Sequence, residues 1–411
     1  MKNIGIVTTW LERGAAYVSK QYRDILQDDF NIFIYARGGE SYAKNNTQWD
    51  DKNVTWAKKI PLPVNMAIDK KDFQRWIFDN KIDLIIFNEQ QWWLPVIWAK
   101  EVNIICVSYI DYYTEETIPL FEIFDILLCN TKRHYDTFKW HSNAQYIPWG
   151  TDINLYKPKN FKIVNEKCIT FFHSAGMSPD RKGTQYLLQA FNQAKGNKKL
   201  IIHTQISLFE KLPEYHNVIN NLLKTGELEI INQTISAPGL YYLGDVYVYP
   251  SKLDGIGLTI TEAISCGLPT IVPDNAPMNE FINEESGKKV NIDKYYARAD
   301  GYYWPQCEVS VTSLKESLEY YIDKKDSIER YKKRARDYAT KNLNWFTNKE
   351  ELVNLILSSA NNKQSLEQEK IYKKIYKYEK KRFKYNILNI VYYRFPRFFR
   401  VLGFVYNVYF K

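Results

Sequence analysis

A chain of 411 residues exceeds the size of one ordinary hydrophobic core, so its length favours two α/β domains. Its 45% hydrophobic and 25% charged residues are ordinary for a globular protein, which excludes a disordered or fibrous chain. The formal charge of +9 is concentrated from residue 361 onward, where 13 Lys or Arg residues accompany three Glu residues. Because the net positive charge is confined to this segment and no nucleic-acid-reading module precedes it, we expect no nucleic acid partner.

The cysteines and the apolar runs predict a cytoplasmic protein. Five cysteines are scattered without a C-x-x-C pair and lie mostly in apolar, strand-like runs, as reduced and buried thiols do. The sequence enters a strand pattern at Asn3 and shows no h-region of a signal peptide. No uncharged apolar run reaches the roughly 18 residues that a spanning helix needs, so no such helix is expected.

The first part of the chain alternates short apolar runs with amphipathic segments. The apolar runs predict strands at residues 3–7, 31–35, 83–87, 103–107 and 126–129. Helical spacing separates several of them, as at residues 17–26 and 73–80. Continuous apolar strands between helices are typical of a parallel sheet that is covered on both faces. Residues 1–150 are therefore predicted to form a doubly wound, Rossmann-like domain.

A stretch rich in Pro, Gly and Lys interrupts this alternation at residues 148–159 and predicts an interdomain linker. The alternation then resumes in a second domain, predicted over residues 160–343. Its strands are expected at residues 169–173, 200–203, 228–231, 246–249 and 270–272, with helices at 184–194 and 259–265. The sequence therefore predicts an α/β fold with two doubly wound domains.

The segment from Asp245 to Glu280 carries the most specific pattern of the chain. A predicted strand leads to a loop and a helix whose residues of interest are Asp254, Gly255, Ile256, Gly257, Leu258, Thr259 and Glu262. A glycine loop at a helix N-terminus directs backbone N–H groups and the positive end of the helix dipole at one place, which suits a diphosphate. Asp254 precedes the loop and Glu262 lies about one turn into the helix, so the two acids are expected to flank the bound anion.

This segment resembles the corresponding region of retaining GT-B glycosyltransferases of family 4, the glycosyl transferases group 1. The family pattern is P-S-x-x-E-G-x-G-x-x-x-x-E-A-x-x-x-G-x-P. The resemblance implies that Asp254 approaches hydroxyls of the donor sugar and that Glu262 accepts hydrogen bonds from the nucleotide ribose. Asp254 keeps the charge of the family's usual Glu and has a shorter reach.

A second resemblance lies at residues 173–191, at the start of the second domain. The family has an Arg and then Lys-Gly before a helix here; Lys182 and Gly183 match, whereas the earlier Arg is missing and Arg181 lies nearby. The resemblance implies that Lys182, with Arg181, neutralises the donor diphosphate and stabilises the leaving nucleotide. His173 ends the preceding strand, where it is either a donor contact or a structural histidine.

The first domain resembles the family less. A glycine loop after the first strand meets the diphosphate or the acceptor in the family, and Gly14 is the matching candidate for a close backbone approach. Where many members carry a His, this chain has Asp111, which either positions the acceptor or caps a helix or turn. Residues 146–152 and 344–346 resemble the family's hinge and its point of return, which implies a crossover helix at about 345–360 on the acceptor-side first domain.

The resemblance implies a glycosyltransferase that moves a hexose from a nucleotide-diphosphate sugar with retention of configuration. Retention in this fold is attributed to front-face attack, in which the donor phosphate takes the acceptor proton, so no separate base is expected. The sequence has no D-x-D motif and its five histidines are not spaced as metal ligands, so we expect no metal and no cofactor. Two alternatives are a nucleotide-sugar epimerase or phosphorylase of the same architecture and a non-catalytic, membrane-associated scaffold.

Residues 361–411 form a basic, aromatic C-terminal segment. Ile371, Ile375 and Tyr378 lie at helical spacing among lysines, which predicts an amphipathic basic helix. A cationic stretch rich in Phe and Tyr suits an anionic membrane, so we expect peripheral association with its cytoplasmic face and a glycan or glycolipid acceptor there. The alternative is that the segment packs back onto the first domain and that its lysines form a solvated face.

Overall fold

The apolar runs in the first part of the chain become the strands of one parallel sheet. The computed structural model describes residues 1–37, 43–60, 64, 66–159, 168–359 and 366–394. The strands of the first sheet are β1 (Asn3–Thr8), β2 (Asn31–Ala36), β3 (Val54–Trp56), β4 (Leu84–Phe87), β5 (Ile105–Tyr109), β6 (Ile126–Cys129) and β7 (Ala144–Tyr146). Among the described residues their order is β3-β2-β1-β4-β5-β6-β7. The order reverses between β1 and β4, and ligands of such sheets bind at this switch point.

Helices cover both faces of this first sheet. They are α1 (Gly14–Leu26), α2 (Lys70–Asp79), α3 (Leu94–Glu101) and α4 (Lys132–Phe138). Strands β4 and β6 are buried along their whole length, which explains why both read as continuous apolar runs. The side chains of Asp69 and Thr131 accept hydrogen bonds from backbone N–H groups in the first turns of α2 and α4 and so fix where these helices begin. The predicted doubly wound arrangement is confirmed, whereas the short edge strands β3 and β7 were not predicted.

The second domain repeats this arrangement. Its parallel strands are β8 (Ile169–Gly176), β9 (Lys198–Thr204), β10 (Leu228–Asn232), β11 (Val246–Val248), β12 (Thr270–Pro273) and β13 (Gly287–Val290). Their order in the described part of the chain is β10-β9-β8-β11-β12-β13. An antiparallel pair, β14 (Ile292–Tyr296) and β15 (Gln306–Val309), follows as a separate two-stranded sheet that the sequence did not predict. We call residues 292–309 the cross-domain hairpin.

Eight α-helices lie in the described residues from position 168 onward. They are α5 (Thr184–Gln193), α6 (Leu208–Lys211), α7 (His216–Lys224), α8 (Leu258–Ser265), α9 (Val311–Asp323), α10 (Ile328–Asn342), α11 (Lys349–Ser358) and α12 (Leu366–Arg394). Helices α5 and α9 pack against each other over the second sheet, and their buried leucines share one apolar cluster with β8 and β9. None of the helices in the described ranges is long and apolar enough to cross a bilayer.

The two predicted hinge segments meet. Thr151 donates its backbone N–H to Leu343 O at 2.8 Å and accepts one from Trp345 at 3.0 Å. Gly150 packs so closely here that a Cβ atom would lie 2.6 Å from Leu343 O. Trp345 is fully buried, and its indole N–H reaches Gln21 O of α1 at 3.1 Å. The crossing returns the chain to the first domain, where α11 packs on α1.

Helix α12 packs along the first domain with the apolar face that the sequence predicted. Ile371 and Ile375 are buried in the same cluster as residues of α2 and α3. Glu379 is also buried, and its carboxylate accepts the backbone N–H of Trp93 at 2.8 Å. The first domain therefore covers the apolar face of this helix, as in the alternative in which the segment packs back onto that domain. The remainder of the predicted membrane segment, residues 395–411, lies outside the described residues.

Candidate active site

The glycine loop of the second domain opens helix α8 at the cleft between the two domains. Gly257 has a φ of 92°, in the left-handed region, and allows the chain to turn directly into the helix at Leu258. Ile256 is buried and anchors the loop, whereas Leu258 and Thr259 are partly exposed at the first turn. The first N–H groups of a helix lack carbonyl partners within it and lie at the positive end of its dipole. The loop therefore has the geometry that the sequence predicted, with the N-terminus of a helix open toward the cleft.

Asp254 forms an ion-paired cluster beside this loop. Its carboxylate lies 2.6 Å from Lys182 Nζ and 3.4 Å from an Arg181 guanidinium nitrogen, and it accepts a hydrogen bond from the Tyr249 hydroxyl. Burial opposes ionisation of Asp254, but Lys182 and Arg181 outweigh it and hold the pKa of the carboxyl below its usual range. Burial lowers the pKa of Lys182 to about 8, although the negative charge of Asp254 opposes this shift. The structure thus brings Asp254 together with Arg181 and Lys182, which precede it by 73 and 72 positions.

Gly183 brings Lys182 to this cluster. Its φ is 71°, and a Cβ atom at this position would overlap the carbonyl oxygen of Pro250. The turn before α5 therefore packs directly on the Pro-Ser turn before Asp254, and an L-residue at this position would separate the two segments. Arg181 tightens the same contact by donating to Leu253 O at 2.8 Å.

Glu262 lies among hydroxyl groups on the other side of the loop. Its carboxylate accepts a hydrogen bond from the Tyr241 hydroxyl at 2.5 Å, and the hydroxyl of Tyr156 also bonds to it. Burial raises the pKa of Glu262, and the two tyrosine hydrogen bonds oppose this shift. A carboxylate that already accepts from two hydroxyls is suited to accept from the hydroxyls of a sugar ring.

His173 does not face the cleft. It is fully buried, and its Nδ1 bonds to Val248 O at 2.8 Å while Nε2 bonds to the Thr184 hydroxyl at 2.8 Å. Because a carbonyl only accepts, Nδ1 carries the proton and the neutral ring accepts at Nε2. Burial lowers the pKa of His173 to about 4, in agreement with this neutral form. The proposed donor contact is therefore wrong, and His173 is the structural histidine that ties β8 to β11 and α5.

Asp111 reaches the loop from the first domain. It follows β5, and its carboxylate lies so close to Gly255 that a Cβ atom there would collide with it. Burial, the neighbouring carboxylate of Glu89, a hydrogen bond to that carboxylate and the charge of Asp254 together raise the pKa of Asp111 well above its usual range. Two carboxyl groups in hydrogen-bond contact share one proton. Asp111 lies in an irregular stretch after β5 where no described helix or turn begins, so the alternative of a helix cap or turn residue does not hold.

Gly14 lies opposite the loop, at the first turn of α1. A Cβ atom at Gly14 would meet Leu258 at 3.7 Å, which is ordinary van der Waals contact. The N-termini of α1 and α8 therefore lie close to each other across the cleft. Each carries the positive end of its helix dipole, and the two together favour an anion there.

Sequence reasoning missed the residues that hold the domains together at this site. Buried His134 bonds through Nε2 to Gly255 O at 3.0 Å and through Nδ1 to the Tyr113 hydroxyl at 2.9 Å. Glu280 accepts the backbone N–H groups of Lys132 and Arg133 at 2.6 and 3.1 Å and so caps α4 from the other domain. No signal in the sequence marks either contact, because the partners are more than 100 residues apart.

The cross-domain hairpin adds a second set of missed contacts. In its turn, the backbone N–H of Tyr303 donates a hydrogen bond to Tyr113 O at 2.9 Å, and the indole N–H of Trp304 donates to the Tyr113 hydroxyl at 2.6 Å. The rings of Tyr112 and Tyr302 stack with centroids 5.2 Å apart. The hairpin of the second domain thus packs on the loop that carries Asp111, and it closes one side of the cleft.

Solved structures share this two-domain architecture. The chain matches HepE of Anabaena in complex with UDP with a TM-score of 0.69 and 16% identity over 87% of this chain and 100% of that chain. It matches a glycosyltransferase from Rickettsia africae ESF-5 with a TM-score of 0.69 and 15% identity over 87% and 99% of the two chains. The pneumococcal O-GlcNAc transferase GtfA, in complex with UDP and GlcNAc, matches with a TM-score of 0.64 and 11% identity over 87% of this chain and 99% of that chain. The fold is that of GT-B glycosyltransferases, as predicted.

The family comparison is more specific about the second domain. Residues 168–301 match the family described as Glycosyl transferases group 1, which confirms the predicted resemblance to that group. The matched residues include Lys182, Asp254 and Glu262. No curated protein matches the chain.

Proposed function

We propose that the protein is a retaining glycosyltransferase that moves a hexose from a nucleotide-diphosphate sugar to a glycan or glycolipid acceptor. One observation carries this proposal: the glycine loop at the N-terminus of α8 joins the Lys182–Asp254 pair to the helix that carries Glu262, in the cleft of a GT-B fold. The family match over residues 168–301 and the UDP complexes named for the similar structures of HepE and GtfA support it.

The donor is proposed to span the site from Glu262 to Asp254. Glu262 accepts hydrogen bonds from the ribose hydroxyls, in the place where the tyrosine hydroxyls now meet it. The diphosphate lies on the N–H groups of the glycine loop, with Lys182 and Arg181 beside it. Asp254 then directs the sugar hydroxyls toward Asp111 and the first domain, where the acceptor enters.

The transfer step needs no separate base. The bond between the anomeric carbon and the phosphate oxygen breaks as the acceptor oxygen attacks from the same face, and the leaving phosphate takes the acceptor proton. Negative charge grows on the leaving diphosphate, and Lys182, Arg181 and the α8 N-terminus stabilise it. These groups supply the positive charge that a metal ion provides in other enzymes, so we propose that no metal and no cofactor is required.

A nucleotide-release assay with Glu262→Gln tests the donor site. Gln keeps the size of Glu262 and the hydrogen bond from Tyr241 but loses the charge that strengthens the bonds to ribose. We expect the donor KM to rise about 10- to 100-fold, because one charge-assisted pair of hydrogen bonds to the ribose is weakened. The measurement is the release of free nucleotide diphosphate from a panel of UDP-, GDP- and other nucleotide sugars in EDTA, with a membrane extract as acceptor.

Glu285→Gln is the matched control, because Glu285 is an exposed acid of the same domain that belongs neither to the glycine loop nor to α8. Acceptor-dependent release that persists in EDTA and fails in Glu262→Gln alone supports the proposal. Conversion of the sugar without nucleotide release indicates an epimerase, and release that depends on inorganic phosphate indicates a phosphorylase. Absence of both release and nucleotide binding across the panel favours the scaffold and ends the enzyme proposal.

We further propose that the protein works at the cytoplasmic face of an anionic membrane. Helix α12 turns its apolar face to the first domain and exposes a row of lysines on the outside. Each such cation near an anionic surface contributes about 1 kcal/mol to binding. The aromatic sequence of residues 395–411 continues the same basic segment. This position brings the cleft near a lipid-linked acceptor.

Vesicle sedimentation tests the membrane surface. The variant replaces four exposed lysines of α12 by Gln: Lys373, Lys377, Lys380 and Lys384. Because four positive charges are lost, we expect binding to vesicles with phosphatidylglycerol to weaken at least about tenfold, and less so at high salt. Vesicles of phosphatidylcholine alone should bind neither the variant nor the unmodified protein.

A control variant carries the same number of Lys→Gln changes on exposed positions of the second domain: Lys195, Lys211, Lys224 and Lys324. It changes the net charge equally and leaves α12 intact. Equal loss of binding in the two variants would attribute the effect to net charge, and the proposed α12 surface would then be wrong.

A further inference from the structure

A cavity of about 350 Å³ lies next to the candidate active site, at the carboxyl ends of β4 and β5. Three parts of the chain form its walls. The first domain contributes Glu89, Gln90 and Asp111, and the cross-domain hairpin contributes Asp300. Helix α12 forms the third wall. The cavity therefore exists in this form only because the C-terminal helix packs back onto the first domain.

The cavity continues from the donor site. Asp111 lines it and at the same time touches Gly255 of the glycine loop. The charge of Asp254 also acts on the Asp111 carboxyl, so the two acids lie near each other across the cleft. A ligand in the cavity would thus lie beside the position that the donor sugar is proposed to take.

Several polar side chains of the cavity supply hydrogen-bond acceptors. The carboxyl groups of Glu89, Asp111 and Asp300 line it. Gln90 is only 9% exposed, both partners of its amide nitrogen are backbone carbonyls, and its Oε1 has no partner among the described residues. A buried acceptor without a partner costs free energy, so its partner is expected to come from a ligand. Sugar hydroxyls are donors of the required kind.

The apolar part of the cavity consists of aromatic rings. Helix α12 contributes Tyr378 and Tyr385, and the first domain contributes Trp93 and Tyr112. A ring face packs well on the C–H face of a pyranose, whereas the ring edges leave its hydroxyls to the acceptors around it. Carboxylates and aromatic rings together fit a sugar ring.

The charges disfavour an anionic ligand. Arg382 is the one cation that lines the cavity in the described part of the chain, and Gln91 O and the Glu379 carboxylate already engage it. A phosphate or carboxylate would meet the acidic residues Glu89 and Asp111 of the first domain, and this repulsion costs binding energy.

We propose that this cavity is the subsite for an uncharged sugar of the acceptor and that helix α12 supplies its specificity wall through Tyr385 and Tyr378. The inference rests on the proposed glycosyl transfer and names the class of acceptor for it. It also gives α12 a role apart from the membrane, because the helix shapes the acceptor site with one side and exposes its lysines with the other.

Tyr385→Ala tests the wall. The ring is 64% exposed, so its removal leaves the packing of α12 intact, and Tyr376→Ala is a matched control because that ring is 47% exposed on the same helix and does not line the cavity. The probes are methyl α- and β-hexosides and the corresponding hexose 6-phosphates. For the methyl hexoside that the enzyme accepts, we expect the KM to rise about tenfold in Tyr385→Ala and to stay unchanged in Tyr376→Ala, because only the first variant loses an aromatic contact with the sugar.

Two further readouts separate this inference from the proposed function. Slow hydrolysis of the nucleotide sugar without acceptor should be equal in both variants, because the donor site is unchanged. Saturation-transfer NMR measures glycoside binding directly, so a weaker signal in Tyr385→Ala supports the subsite even if no donor is turned over. The inference is overturned if no methyl hexoside binds or reacts, if hexose 6-phosphates are preferred, or if both tyrosine variants behave alike.

Discussion

Replacing Lys182 with Gln should lower kcat/KM for sugar transfer about 100- to 1000-fold, the effect of removing one preorganised charge from a developing anion. Lys182 Nζ lies 2.6 Å from Asp254, and both side chains are largely withdrawn from solvent. Without the lysine, the carboxylate would repel the donor diphosphate, and the leaving group would lose its nearest cation. Steady-state release of nucleotide diphosphate measures the change.

The pH dependence of kcat/KM gives a second test of the role of Lys182. Burial lowers the pKa of Lys182 to about 8, and the charged form is the one present below this pH. Because kcat/KM reports the free enzyme, it should fall as the pH rises through about 8, and this limb should be absent from Lys182→Gln. Lys199→Gln is the control, since Lys199 pairs with Glu229 at 2.6 Å on the far strands of the same domain. Equal activities of the Lys182 and Lys199 variants would remove Lys182 from the mechanism.

The predictable parts of the fold are those whose local sequence pattern is compatible with only one kind of structure. A run such as Leu84–Phe87 must be covered on both faces, because each of its side chains is apolar, and a parallel sheet between helices does this. The glycine loop was predictable for a similar reason. Gly257 allows a left-handed residue directly before a helix, and the acids at Asp254 and Glu262 stand at fixed distances from it.

The parts that were not predictable depend on contacts between distant segments. Glu280 caps α4 across the cleft, and His134 reaches Gly255, but neither residue type nor its neighbours in the sequence indicate the partner. The sequence left His173 open between a donor contact and a structural role, because a histidine at a strand end is compatible with both. Only the positions of Val248 and Thr184 around its ring decide between the two.

Helix α12 illustrates the same limit at a larger scale. The spacing of Ile371 and Ile375 establishes that one face is apolar, but not whether lipid or protein covers it. In the structure the first domain covers this face, and the contact of Glu379 with Trp93 fixes the helix in register. The consequence for function is large, because the same register places Tyr378 and Tyr385 at the cavity beside Asp111.

Gly183→Ala should both destabilise the second domain and remove most of the activity. Gly183 has a φ of 71°, and the added methyl group would overlap the carbonyl oxygen of Pro250. The left-handed conformation alone costs an Ala about 1–2 kcal/mol, and the overlap adds a packing term of similar size, so we expect a loss of about 3 kcal/mol in the free energy of unfolding. Relief of the overlap moves the turn that carries Lys182 away from Asp254, and nucleotide release should fall with it.

Gly226→Ala separates the two contributions. Gly226 also has a left-handed φ, of 76°, but no atom lies within 4 Å of its added methyl group. This variant should lose only the conformational part, about 1–2 kcal/mol, and keep full activity. Denaturant unfolding of both variants, followed by nucleotide release under conditions in which both are folded, gives the comparison. If Gly183→Ala loses no more stability than Gly226→Ala and keeps its activity, then the contact with Pro250 does not position Lys182, and the cluster around Asp254 must be held by Arg181 and Tyr249 instead.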